Sequence, residues 1–150
     1  MTSKRCVEMM LIAAGLVWLA VSLTAQSGET FTARLAWVPT TAAQRADVTG
    51  KGSATASLSG RTLSISGSFE GLVAPATVAR LHRGVAKGAR GPAIFDLTLT
   101  KATSGTISGS VALTAEQVEN LRQGRLYVQI HSEKGADADG SNLWGWLIGK

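Results

Sequence analysis

The feature that most constrains this chain is a two-residue alternation of apolar and polar side chains, carried in short segments that glycine, proline and serine interrupt. Phe31, Ala33, Leu35 and Trp37 fall in one phase and Thr32, Arg34 and Ala36 in the other, the pattern of a strand with one buried face. The same period recurs in residues 53–59 and 61–69, two Ser/Thr-rich runs separated by Gly60, where positive φ costs little. That pair predicts a hairpin. Residues 77–82, 93–100 and 106–113 follow at short spacing, and 125–131 and 143–148 close the series around a polar loop at 132–142. One helix is expected between them. Thr114 is a good N-cap, Gln117 completes a capping box, Val118 and Leu121 form an apolar stripe, and Gly124 ends it. The whole reads as an all-β, antiparallel Greek-key β-sandwich or barrel with one short helix plugging an end.

The N-terminal segment has a different pattern. Lys4 and Arg5 precede an almost unbroken apolar run over 9–23, followed by small residues, which predicts a secretory signal peptide spanning 1–25 and a β domain spanning 26–150. Ser27 is an alternative last residue of the leader. An apolar run of about fifteen residues falls short of the roughly twenty a membrane span needs, so no span is expected after cleavage. The expected location is secreted or periplasmic. Cys6, the only cysteine, would leave with the leader, so the mature domain would form no disulfide and would depend on core burial. Removing Lys4, Arg5 and Glu8 changes the formal charge from +5 to +4, too weak a basic balance to imply nucleic acid.

Three segments together resemble the chordin-type domain family, CHRD, a secreted β module found in an animal growth-factor antagonist and in bacterial proteins. Phe31-Thr-Ala-Arg-Leu35, Val38-Pro39 and the run from Gly50 to Leu58 look like its opening strand, turn and second strand. The runs from Pro75 to Gly84 and from Gly91 to Leu97 resemble its central histidine strand and Gly-Pro loop. The run from Leu113 to Gln117 and that from Gly124 to His131 resemble its Leu-Thr helix and its strand ending in histidine. The chain departs from the pattern twice. Arg80 stands where the family commonly has the first histidine of a His-apolar-His pair, and Trp144 and Trp146 replace polar residues of the last strand. The resemblance implies an immunoglobulin-like or superoxide-dismutase-like β fold and a secreted location, without implying an activity.

Candidate site residues follow from strand phase. His82 and His131 are the only histidines, and both fall opposite inward neighbours, Ala79 and Leu81 for the first, Val128 and Ile130 for the second. On adjacent strands they could meet and hold copper or zinc, although such a site needs further ligands. Trp144 and Trp146 alternate with Leu143, Gly145 and Leu147, so both indoles, with Ile148, should project outward unless a loop or Trp37 covers them. Paired outward aromatics suit a protein or glycan partner. Arg80, Arg83, Lys87 and Arg90 add a basic cluster with no acid between them. Asp137, Asp139, Ser141 and Asn142 lack the glycine position and final glutamate of a calcium loop and read as a turn. There is no Gly-x-Ser-x-Gly elbow or phosphate loop, and no cysteine nucleophile would survive processing. The expectation is therefore a non-catalytic exported interaction module without a cofactor. The alternatives are a copper- or zinc-binding or redox-associated protein using His82 and His131, and an accessory subunit of an exported enzyme.

Overall fold

The computed structural model describes residues 28–150, so the expected leader, its cleavage bond and Cys6 lie outside the described residues. Within them the elements run β1 (Glu29–Trp37), a 3-10 turn (Ala42–Gln44), β2 (Lys51–Ser59), β3 (Thr62–Glu70), β4 (Ala76–Arg83), β5 (Ala93–Leu99) and β6 (Gly105–Ala112). Then come α1 (Ala115–Arg122), β7 (Leu126–Ser132), β8 (Ser141–Trp146) and the two-residue β9 (Ile148–Gly149). The Gly60 hairpin forms as expected. Gly60 adopts φ +60° between Ser59 and Thr62, which are paired, and β2 and β3 stay in register from there to Lys51 opposite Glu70.

The strands run antiparallel in the order β2-β3-β6-β5-β4-β7-β8-β1, and β1 pairs again with β2, so eight strands close into a barrel. The sandwich form of the expectation is thereby corrected. Closure depends on β1 using both of its edges: residues from Glu29 to Leu35 pair with β2 along one, while Phe31 and Thr32 pair with β9 and Ala36 and Trp37 with β8 along the other. Full closure leaves no long unpaired edge of the kind an open sheet must protect.

The inward phase of each strand fills the barrel. Phe31, Ala33 and Leu35 meet Ala54, Ala56 and Leu58, then Leu63, Ile65 and Phe69, and on the far side Leu81, Val128, Ile130 and Leu143. Small and large side chains complement one another across strands, as where Ala56 sits opposite Ile65. Burying each Leu or Ile contributes about 1.5–3 kcal/mol relative to exposure, which together supports a domain without disulfides. The α1 capping box is present on both sides, Gln117 N donating to Thr114 Oγ1 at 3.1 Å and Thr114 N to Gln117 Oε1 at 2.9 Å. Val118 and Leu121 enter the same core.

Two local expectations change. Trp37 falls in the inward phase of β1 yet is 51% exposed: it stands at the end of the strand, past the last pair with β2 at Leu35, where its indole is hydrogen-bonded to Gly50 O instead of entering the core. The last strand is broken at Leu147, whose N donates to Leu126 O at 2.9 Å, while Ile148 and Gly149 return to pair with β1. Among the described residues no helix is long and apolar enough to cross a membrane.

Candidate functional site

On most of the barrel the outward residues face solvent, but β7 is buried along its whole length, from Leu126 to Ser132. Its outward side chains, Tyr127, Gln129 and His131, lie between β4 and β8. Tyr127 stands opposite His82 and Trp146, Gln129 opposite Arg80 and Trp144, and His131 opposite Val78 and Ser141. Two loops roof this face, residues 84–92 between β4 and β5 and 133–140 between β7 and β8. The first loop is tied to the face at Gly91: Gly91 N donates to Tyr127 Oη at 3.1 Å, and the Tyr127 hydroxyl lies 3.1 Å from Gly91 O. The second is tied by His131 and by Asn142, whose amide donates to Ser132 Oγ at 2.9 Å and to Lys134 O and Asp47 O at 3.3 Å.

Beneath the first loop four rings gather. His82 stacks on Tyr127 with centroids 4.8 Å apart and 17° between planes, Trp146 tilts against Tyr127 at 4.5 Å, and Trp144 meets both Tyr127 and Trp146 edge-on at 5.9 Å. Trp144 and Trp146 do occupy the outward phase, between the fully buried Leu143 and Leu147. Both are half-buried rather than open, because the loop folds over them. Gly84 allows that approach: a Cβ there would lie 2.8 Å from the tip of the Trp146 ring and 2.8 Å from Ala86 O.

His82 and His131 share the outer face of adjacent strands, but the register sets Tyr127 rather than His131 beside His82. Their environments are alike. Nδ1 of His82 is 3.0 Å from Gly91 O and Nδ1 of His131 is 3.0 Å from Asp139 O. A carbonyl can only accept, so in the neutral rings Nδ1 carries the proton and Nε2 the lone pair. Both Nε2 atoms are buried without a hydrogen-bond partner. Burial is the main force lowering the His82 pKa below the ordinary histidine value. The Gly91 carbonyl opposes it, and the charges of His131, Arg80 and Arg90 add to it. Among the described residues no group of three or more His, Cys, Asp or Glu side chains is placed to hold a metal.

The arginines are not the free basic patch their spacing suggests. Arg80 pairs with Asp96 at 2.8 Å, Arg83 with Glu116 at 2.7 Å and Arg90 with Asp137 at 3.5 Å. The acids come from β5, α1 and the second roof loop, all distant in sequence. Arg90 also lies over the Trp144 ring, 5.4 Å from its centroid, so it links the two loops across the indole. Burial would raise the Asp137 carboxyl, but hydrogen bonds from Ser141 and the Arg90 guanidinium outweigh it and hold the pKa below the usual aspartate value. Ser141 and Asn142 likewise serve the fold, since Ser141 Oγ accepts from Gln129 Nε2 at 2.8 Å.

Tyr127 and Gln129, which organise this face, were not singled out by the sequence reading. The available signal was their phase, since both alternate with Val128 in step with His131. No curated protein and no solved structure gives a significant match to the chain. The family model described as "CHRD domain" matches residues 31–137, a span that begins in β1 and runs through both histidine strands into the second roof loop. The chain therefore belongs to the CHRD domain family.

Proposed function

We propose that this CHRD protein is a non-catalytic interaction module of the cell envelope or exterior, reaching that location through its N-terminal leader and contacting an exported protein through the patch formed by Trp144 and Trp146. The observation that carries this reading is the aromatic cluster itself. Two indoles stand half-open on an outer strand face, held edge to face with Tyr127 and crossed by the Arg90 guanidinium. Rigid indoles rimmed by arginine have the composition of interface anchors, because they offer large apolar area with little ordering left to do on binding. The paired arginines bias the rim toward mixed polar contacts rather than a strongly anionic partner. In a pull-down from the native envelope, the wild type is expected to capture a partner that Trp144→Ala plus Trp146→Ala loses. Equal capture by the two proteins would overturn the reading. For the fold, the order in which β4, β5 and β6 are neighbours and β7 returns beside β4 supports a Greek-key description.

A metal-binding reading is favoured by one specific observation. Each histidine donates an Nδ1–H hydrogen bond to a backbone carbonyl and leaves a buried Nε2 lone pair unpartnered, which is how carbonyls behind a metal site commonly orient the imidazoles that ligate it. This reading expects copper or zinc at one equivalent in protein matured in its own compartment, and loss of that metal in His82→Ala. Metal-free wild type would dismiss it.

A further inference from the structure

A second feature lies on β1, β2 and β3, beside the tryptophan patch: Ala36 lines it and pairs across to Trp144. Where the β1–β2 ladder ends after Leu35, two adjoining hollows of about 380 and 450 Å³ form, sharing Arg34 and Lys51. The first is floored by Ser53, Ser68 and Glu70, and the second is walled by Trp37 and Gly50. Trp37 Nε1 donates to Gly50 O at 2.8 Å, which pins the indole while leaving half of it exposed. Among the described residues the Arg34 side chain makes no ion pair or hydrogen bond, and Lys51 makes only the 3.4 Å pair with Glu70, both of them largely exposed. From the groove, cross-strand hydroxyl rows continue over the sheet: Ser53, Ser68 and Thr106 in one, and Thr55, Ser66 and Ser108 in the next.

We propose that this groove binds an oligosaccharide containing uronic acid. A pinned, half-open indole offers a flat apolar face for the C–H side of a sugar ring. The unengaged Arg34 guanidinium presents a planar fork that matches a single carboxylate in bidentate fashion. Serine hydroxyls and the Glu70 carboxylate supply acceptors and donors for ring hydroxyls. Charge selects the class of glycan. With Arg34 and Lys51 against Glu70, the groove carries one net positive charge, which balances the one carboxylate that Arg34 engages while the other carboxylates of the chain stay in water. A densely sulfated chain, with more than one anionic group on each sugar, would crowd further negative charge against Glu70 beside the one that Arg34 engages and is disfavoured. The site adjoins the tryptophan patch at Ala36 but is lined by neither Trp144 nor Trp146.

The test is calorimetric titration of the protein with tetragalacturonate, alongside a neutral hexose tetramer and a sulfated tetrasaccharide, with indole fluorescence recorded on the same samples. The proposal expects saturable tetragalacturonate binding with a change in indole emission, weaker or absent binding of the other two, and a loss of about tenfold or more in affinity in Arg34→Gln and in Trp37→Ala. Arg34 is exposed, so Arg34→Gln keeps the fold, and a thermal melt checks this for both variants. Trp144→Ala plus Trp146→Ala should leave this binding intact. Absence of saturable tetragalacturonate binding, equal or better binding of either other sugar, or unchanged affinity in both groove variants would each overturn the proposal. Loss of binding in the Trp144/Trp146 variant would overturn its placement in this groove.

Discussion

Two outer faces of one barrel differ sharply. On β2, β3 and β6 the outward residues are mostly serines and threonines in open rows, whereas on β4, β7 and β8 they are largely aromatic, amide and imidazole groups that two loops cover, leaving Trp144 and Trp146 half-open. The inward phases of the two halves are equally apolar, so the barrel itself would form either way. The difference shows that the roofed face is a second, partly polar core. There Gln129, Ser132, Ser141 and Asn142 are buried polar groups whose hydrogen bonds must close within the protein, since burial without a partner costs about 1–3 kcal/mol per group. The open face carries no such obligation, because water satisfies its hydroxyls.

This contrast can be broken most directly at Gly84. A methyl group there meets Ala86 O and the Trp146 ring, with a backbone carbonyl of Ala89 still closer, and backbone cannot yield cheaply. Gly84→Ala is expected to destabilise by up to about 3 kcal/mol in denaturant unfolding and to expose Trp146, seen as a red shift in emission. Loss of less than about 0.5 kcal/mol would mean that the roof is not held against the barrel. A smaller effect is expected from Tyr127→Phe, which removes the hydroxyl bridging to Gly91 and should cost about 1–2 kcal/mol with faster hydrogen exchange at the Gly91 amide. Ser66→Ala, on the open face, should stay within about 0.5 kcal/mol of wild type, and comparable losses for the two would erase the distinction between the faces.

The smallest effect is electrostatic. The Asp137 pKa is lowered in the fold, so its contribution is fully present above the ordinary aspartate value and is lost as the pH falls through the folded value. Acidification below about pH 4 should therefore loosen the bridge between the roof loops, read as faster exchange across residues 133–140. Asp137→Asn should show that loosening already at neutral pH and no further acid step. An unchanged acid step in this variant would assign the transition to another group.

The strands and the helix were legible because their signals are local. Alternation from Phe31 to Leu35 places buried and open residues in turn, Gly60 marks a turn two residues long, and Thr114 with Gln117 fixes the start of α1. Membership of the family was legible too, from motifs spread over the chain. The closed barrel was not. It depends on β8 and β9 pairing with the edge of β1 opposite β2, and nothing local in β1 encodes the position of β8 more than a hundred residues later. The environment of the candidate site was hidden for the same reason. Phase located Trp144, Trp146, His82 and His131 on outer faces, but the residues that cover or neutralise them come from other parts of the chain, as Glu116 does for Arg83 and Asp137 for Arg90. Trp37 misled because strand phase gives the side a residue takes but not whether a neighbour covers it, and past Leu35 the pairing with β2 has ended.

The two-edged pairing of β1 also bears on the order in which the molecule can assemble. Ala36 and Trp37 pair with Trp144 and Leu143, so an early strand and a late one lie side by side in the finished ring. During synthesis, β1, β2 and β3 can form a meander long before β8 exists, yet β1 keeps an open edge for that whole interval. Contacts of such sequence separation make closure the slow step of folding and leave the incomplete sheet open to pairing with other chains. The last turn of the ring is thus also its safeguard: once β8 docks, the exposed edges of β1 and β7 are removed together.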